Sequence, residues 1–178
     1  MKIIMLCGPA RCGKDTIIPI LKKQLEDKYQ ESWDRFAFAD KLKKDCEKHI
    51  QDTYGVSVWD DSKKHLFRDY LIKYGEKRRA ETDNKYLVNH FIHTHNSFKN
   101  YILSDFRFVS EYIDIKGALA PIYGTELKIV PIYIERVINK NGLELISQPT
   151  IKSEVENYPS IKKISKVYQI PWETGLFW

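Results

Sequence analysis

Arginine is scarce in this chain. Seven of its 29 basic residues are Arg (Arg11, Arg35, Arg68, Arg78, Arg79, Arg107 and Arg136) and 22 are Lys. Where Lys is the default cation, each Arg is a candidate for a task that needs its planar fork, such as bidentate phosphate binding. Cysteine is scarce as well. Cys7, Cys12 and Cys46 have no metal-ligand spacing, which points to a reducing, cytoplasmic setting. No apolar run approaches the roughly 20 residues a membrane span needs. The apolar segment after Met1-Lys2 is too short for a signal peptide. There are no internal repeats, no low-complexity tracts and no basic run interleaved with aromatics. Neither a membrane nor a nucleic acid is therefore the expected partner.

What is present suits a single globular domain. The 178 residues are 43% hydrophobic and 30% charged, enough for a full core. The net charge of +5 reads either as a solvated lysine-rich surface or as a field for polyanionic substrates such as nucleotides.

The most informative stretch is Gly8-Pro9-Ala10-Arg11-Cys12-Gly13-Lys14-Asp15-Thr16. Lys2 to Cys7 before it reads as a buried strand. After it, Ile17, Ile20, Leu21 and Leu25 fall at helical spacing up to Tyr29. A glycine-framed loop between strand and helix is the setting of a phosphate-binding loop. Gly8 and Gly13 let the backbone approach a ligand closely. The loop's N–H groups and the helix N-terminus then favour an anion. Lys14 supplies a mobile ammonium for the terminal phosphates. The usual motif has Ser or Thr directly after the Lys; here that place is Asp15, and the hydroxyl follows at Thr16. Pro19 inside the first two turns predicts a kink or irregular turn.

Further along, Trp33 to Ala39 reads as a second strand. Asp40 follows either as a helix N-cap or, with Lys43, as a group facing a substrate at the sheet's carboxyl edge. That helix should stop at Gly55. Asp60-Asp61-Ser62 caps a helix carrying Arg68, expected to stop at Gly75. Arg78 and Arg79 then fall on a polar connector, either solvated or joined with Arg68 as an anion clamp. A third helix is expected from about Asp83 to His93. His90, His93 and His95 lack a third ligand at clear spacing and read as solvent-facing or capping groups rather than a metal site.

Tyr101 to Arg107 is an apolar run ending in an acid. Asp105 either stands at the sheet's carboxyl edge near magnesium or caps the next helix, and Arg107 would point at the same place. That helix starts near Glu111 and is expected to end at Gly117 and Pro121. Leu127 to Ile134 is a further strand, predicted at an edge or bulged because of Pro131. Asn139 to Pro149 reads as a hairpin or flexible excursion about Asn141-Gly142. A short last helix over Ser160 to Gln169 and an aromatic tail from Pro171 complete the chain. Alternating strands and helices give an α/β fold, a parallel sheet with helices on both faces. The helical stretch of about 40–100 is where acceptor recognition would sit.

Several of these pieces together resemble the phage-type deoxynucleoside monophosphate kinases, within the nucleoside monophosphate kinase group of phosphate-loop (P-loop) proteins. The matching pieces are Gly13-Lys14-Asp15-Thr16, Ala39-Asp40-Lys41-Leu42-Lys43, and the Arg68…Gly75…Arg78 region leading to Tyr86-Leu87-Val88. Ser104 to Phe108 with Glu111, and Ile134-Glu135-Arg136, complete the match, with a fainter echo at Ser153-Glu154. The resemblance implies a P-loop NTPase three-layer sandwich and transfer of the γ-phosphoryl group of ATP to a (deoxy)nucleoside monophosphate. It also implies magnesium and closure of mobile segments, here a lid-like excursion at about 136–158. It assigns Gly8, Arg11, Cys12, Gly13, Lys14, Asp15, Thr16 and Arg136 to ATP, and Thr16 and Asp105 to magnesium. Asp40, Lys43, Arg68, Arg78, Arg79 and Arg107 would take the acceptor, with Lys14, Arg68, Asp105 and Arg107 catalytic. The chain is shorter than those kinases and compact between its second and third strands, which bears on substrate more than on reaction. Animal-type phosphomevalonate kinases share the Gly-Lys-Asp loop and leave another phosphorylated acceptor open. A nucleotide-binding regulator without kinase activity is the alternative from a different class, and a homodimer is open as the assembly.

Overall fold

The computed structural model describes residues 1–9, 12–139, 143–145 and 152–171; within them, the side chains of 136–139, 143–145, 152–155 and 169–171 lie outside the description. Contacts divide the chain into two units, Met1–Phe36 with Asn96–Trp178, and Ala37–His95.

The first unit is built on a parallel sheet. Its strands are β1 (Lys2–Cys7), β2 (Trp33–Phe36), β3 (Asn100–Leu103), β4 (Lys128–Asn139) and β6 (Lys166–Pro171), in spatial order β2-β3-β1-β4-β6. A short β5 (Leu143–Leu145) pairs antiparallel with the far end of β4. β1 is central, flanked by β3 and β4 in parallel register, and so its Ile3, Met5, Leu6 and Cys7 are buried. Right-handed crossovers place α1 (Lys14–Tyr29) on one face and α5 (Val109–Tyr123) with α6 (Lys152–Ile164) on the other. Under α1 the core joins Leu6, Cys12, Ile18, Trp33, Ile102 and Ile134.

The second unit is helical: α2 (Phe38–Tyr54), a 3₁₀ turn at Asp61–Lys63, α3 (Lys64–Glu81) and α4 (Tyr86–Thr94). Its core is Cys46, Ile50, Val58 and Phe67, with Tyr70, Leu71 and Tyr74 packed on it. Among the described residues, no helix of either unit is long and apolar enough to cross a membrane.

Several boundaries differ from those expected. β2 ends at Phe36, and α2 starts two residues before Asp40, so Asp40 lies in the first turn and Ala37 is the cap. Phe38 is buried in helical register with Cys46 and Ile50, and that packing sets the start. α3 does not stop at Gly75. It runs on to Glu81, because Gly75 is buried and a Cβ there would lie 3.3 Å from the Leu42 side chain of α2. Arg78 and Arg79 therefore belong to the last turn of α3, not to a connector. α5 likewise continues through Gly117 and Pro121 to Tyr123. Its Ile115 and Leu119 are fully buried, and packing of that face outweighs the poor propensity of two residues. Gly124, with φ of 52°, ends it.

Pro131 is not in an edge strand. It lies within β4 opposite Met5 of β1, and β6 begins its pairing only at Ile132. On that side no ladder bond is lost at Pro131. The last helix ends at Ile164, and Lys166 to Gln169 form a strand instead. Val167 and Tyr168 favour an extended edge, and the open side of β4 supplies the pairing. The turn at Asn141-Gly142 and the aromatic tail beyond Pro171 lie outside the described residues.

Candidate functional site

The loop after β1 is shaped by backbone that only glycine tolerates. Gly8 has φ of 146°, and a Cβ there would fall 2.2 Å from the backbone oxygen of Ile134 on β4. Any side chain would collide with main chain, which cannot step aside. Gly13 (φ 98°) is the N-cap of α1, whose first turn holds Lys14, Asp15 and Thr16. Asp15 and Thr16 are exposed, and Asp15 sits where the helix dipole favours a carboxylate.

Lys14 folds back over the loop. Its Nζ donates to the carbonyls of Gly8 (2.7 Å) and Pro9 (2.8 Å) and lies 3.5 Å from Cys12 Sγ. The ammonium is thus held by backbone dipoles. Arg11 lies outside the described residues.

The adjoining strand ends feed the same edge. β3 ends at Leu103, and the turn that follows carries Ser104, Asp105, Phe106 and Arg107. Ser104 N–H donates to Phe36 O (2.9 Å) and Phe106 N–H to Leu6 O (3.1 Å). These two bonds fix the turn beside the carboxyl ends of β2 and β1. Asp105 and Arg107 are half-buried. Phe108 is the N-cap of α5, and the buried Glu111 of its first turn reaches back, its carboxylate accepting from the N–H groups of Arg107 (2.9 Å) and Phe108 (3.1 Å). The Cys7 thiol at the end of β1 lies in the field of these groups. Burial pushes its pKa up to about 12, against downward pulls from Lys14 and Arg107 and an upward push from Glu111. Lys14, Arg107 and Glu111 all act on one atom at the end of β1.

Two contributors to this edge had no local signal in the sequence. Tyr158, buried on α6, donates its hydroxyl to Gly8 O at 3.3 Å. Its ring meets Tyr133 of β4 edge-on, with centroids 5.4 Å apart. Lys162 lies over the Tyr133 ring and pairs with the buried Glu135. Arg136 follows on β4, with its side chain outside the description.

The remaining expected site residues lie in the helical unit. Lys43 pairs with Asp61 (3.6 Å) and sits over the Trp59 ring. Arg78 pairs with Glu81 (2.9 Å) and lies 4.6 Å from the Tyr86 ring centroid. Arg68 and Arg79 are half-buried and share a stripe of α3 with Gly75. His93 and His95 bond the carbonyls of Asn89 (2.6 Å) and Ile92 (2.7 Å) at the end of α4, the capping role expected of them. No cluster of three metal-ligating side chains occurs among the described residues.

No protein-family model matches the chain, and no curated protein matches it. Among solved structures it is similar to a gluconokinase from Sinorhizobium meliloti 1021, at 8% identity over 95% of this chain and 82% of that one, with a TM-score of 0.42. It is also similar to Chaetomium thermophilum Kti12 in complex with ADP-AlF3, at 15% identity over 96% and 89% of the two chains, with a TM-score of 0.43. Five parallel strands with the glycine-framed loop leaving the central one, and α1 opening at the loop's lysine, make this chain an α/β protein of P-loop NTPase architecture.

Proposed function

We propose that the chain is a kinase that passes the γ-phosphoryl group of ATP to a small phosphorylated acceptor, a (deoxy)nucleoside monophosphate by preference. The observation that carries the reading is the loop after β1. Gly8 admits no Cβ, Gly13 opens α1, and the Lys14 ammonium rests on backbone carbonyls. An anion arriving there meets N–H dipoles and a cation that gives up no counter-charge to reach it.

Phosphoryl transfer passes through a loose transition state, so catalysis is positioning and charge stabilisation. In this proposal the loop, from Gly8 through Arg11, Cys12 and Gly13 to Thr16, holds the ATP phosphates, with Arg136 beside the nucleotide. Lys14 follows the transferred group and Arg107 neutralises charge as it develops. Magnesium fits the donor chemistry, since Thr16 and Asp105 offer hard oxygens of the kind it prefers together with phosphate. Held by Thr16 and Asp105, the metal would supply positive charge to the phosphates. Asp40, Lys43, Arg68, Arg78 and Arg79 of the helical unit would take the acceptor. Arg78 would then exchange the Glu81 carboxylate for a phosphate, one anion for another. The acceptor is already an anion and needs no base.

Coupled measurement of ADP release with magnesium and ATP, across the deoxynucleoside monophosphates and phosphomevalonate, tests this. Release that depends on an added nucleoside monophosphate is expected. Dependence on phosphomevalonate would keep the reaction and replace the acceptor. ADP release without any acceptor, or none at all, would overturn the kinase reading.

A further inference from the structure

Among the described residues, two backbone carbonyls at the head of the loop each have two donors. Gly8 O accepts from Lys14 Nζ at 2.7 Å and from the Tyr158 hydroxyl at 3.3 Å. Pro9 O accepts from Lys14 Nζ at 2.8 Å and from the Cys12 N–H at 3.3 Å. In each pair the lysine bond is short and the second bond is long. Both second donors are held in place by something other than the bond they make. Cys12 N–H is part of the loop itself. Tyr158 is wedged against Tyr133, and α6 is tied to β4 by the Lys162–Glu135 pair.

We infer that Tyr158 is a positioning residue of the loop: its hydroxyl takes over the Gly8 carbonyl when Lys14 leaves for a phosphate. This rests on the nucleotide reading above. A buried carbonyl stripped of its donor costs free energy, and that cost would count against nucleotide binding. With Tyr158 and Cys12 N–H already in place, Lys14 can be released without stranding either acceptor. The long 3.3 Å contact is that of a secondary partner while Lys14 is present, and it has room to shorten once Lys14 is gone. Through this bond α6, 150 residues away in sequence, becomes part of the loop's energetics.

The test is a double-mutant cycle on the nucleotide-free protein, joined to a binding measurement. Melting temperatures are taken for the wild type, Tyr158→Phe, Lys14→Met and the double variant, and the Kd of Mg-ATP for the wild type and Tyr158→Phe. Tyr158→Phe alone should melt within about 2 °C of the wild type, because Lys14 still serves Gly8 O. The double variant should lose roughly 3–6 °C more than the two single shifts added together. Tyr158→Phe should bind Mg-ATP about 5- to 30-fold more weakly. Additive melting shifts would overturn the inference, as would an unchanged Kd. A large melting loss in Tyr158→Phe alone would also overturn it, since the hydroxyl would then be needed with Lys14 in place. If the wild type binds no nucleotide, the proposed function fails and this inference with it, while the cycle separately reports whether Lys14 and Tyr158 share the carbonyl.

Discussion

In the sheet unit the cation of the candidate loop is held by backbone: Lys14 rests on the carbonyls of Gly8 and Pro9. In the helical unit three cations are held by side chains. Lys43 has Asp61 and Trp59, Lys41 has Asp45 and Tyr86, and Arg78 has Glu81 and Tyr86. An ammonium on carbonyl dipoles can move to an anion without leaving a carboxylate bare. A guanidinium paired with a carboxylate has to exchange one anion for another. Exposed pairs of that kind are worth little, about 0–1 kcal/mol, so the exchange is easy but sensitive to salt. The same contrast runs through the glycines and the cysteines. Gly8 faces main chain, whereas Gly75 faces the end of a Leu side chain. Cys7 is buried beside charged neighbours, whereas Cys46 is buried in an apolar helical core beside Asp45.

The largest expected difference concerns the cations. Lys14→Ala should lower kcat by about 10²- to 10³-fold with the fold intact, the scale of losing one preorganised charge. Arg78→Ala should act on acceptor KM and leave the Kd of Mg-ATP unchanged. Steady-state kinetics and calorimetry separate the two. Equal effects of both variants on nucleotide binding would erase the contrast.

The glycines come next. Gly8→Ala should destabilise by roughly 3 kcal/mol or more, because a positive φ and a backbone clash act together. Gly75→Ala should stay within about 1 kcal/mol of the wild type. There the gain in helix propensity offsets a small shift of Leu42. Urea unfolding reads both, and a comparable loss at Gly75 would show that the α2–α3 contact is as unyielding as main chain.

The smallest effect is the pH dependence of the cysteines. Burial raises the Cys7 thiol from 9.0 to about 12 and the Cys46 thiol to about 11. The folded state therefore holds these protons more tightly than the unfolded state. Their contribution is complete below pH 9 and is lost as pH rises through that window. From pH 9 to 10 each should cost about 1 kcal/mol of stability. Above pH 11 only Cys7 should continue to contribute. Comparing Cys7→Ala and Cys46→Ala with the wild type over pH 8–11.5 checks this, and parallel curves for wild type and variants would remove both groups from the account.

Much of the candidate site was legible because it is local. The strand, the loop and α1 are 28 consecutive residues, and their glycines and lysine act through neighbouring backbone. Gly55 as a stop and the histidine caps of α4 are local in the same way. The misreadings share a cause. Propensity makes Gly75, Gly117 and Pro121 read as punctuation and Pro131 as an edge or bulge, and each sits where packing or pairing with a distant segment outweighs propensity. β6 is not legible locally, because an edge strand of six residues differs little in pattern from the tail of a helix. Glu111 was placed at the start of α5, but its reach back to Arg107 and Phe108 depends on burial that the sequence does not display.

The residues by themselves determined the phosphate-type loop and the alternation of strands and helices, since backbone freedom and side-chain period are properties of short segments. Tertiary structure alone decided which strand became central, how far α3 and α5 extend, and that Tyr158 of α6 meets the carbonyl of Gly8. Those outcomes join groups far apart along the chain, and only the packed core, through burial and strand pairing, brings them within bonding distance.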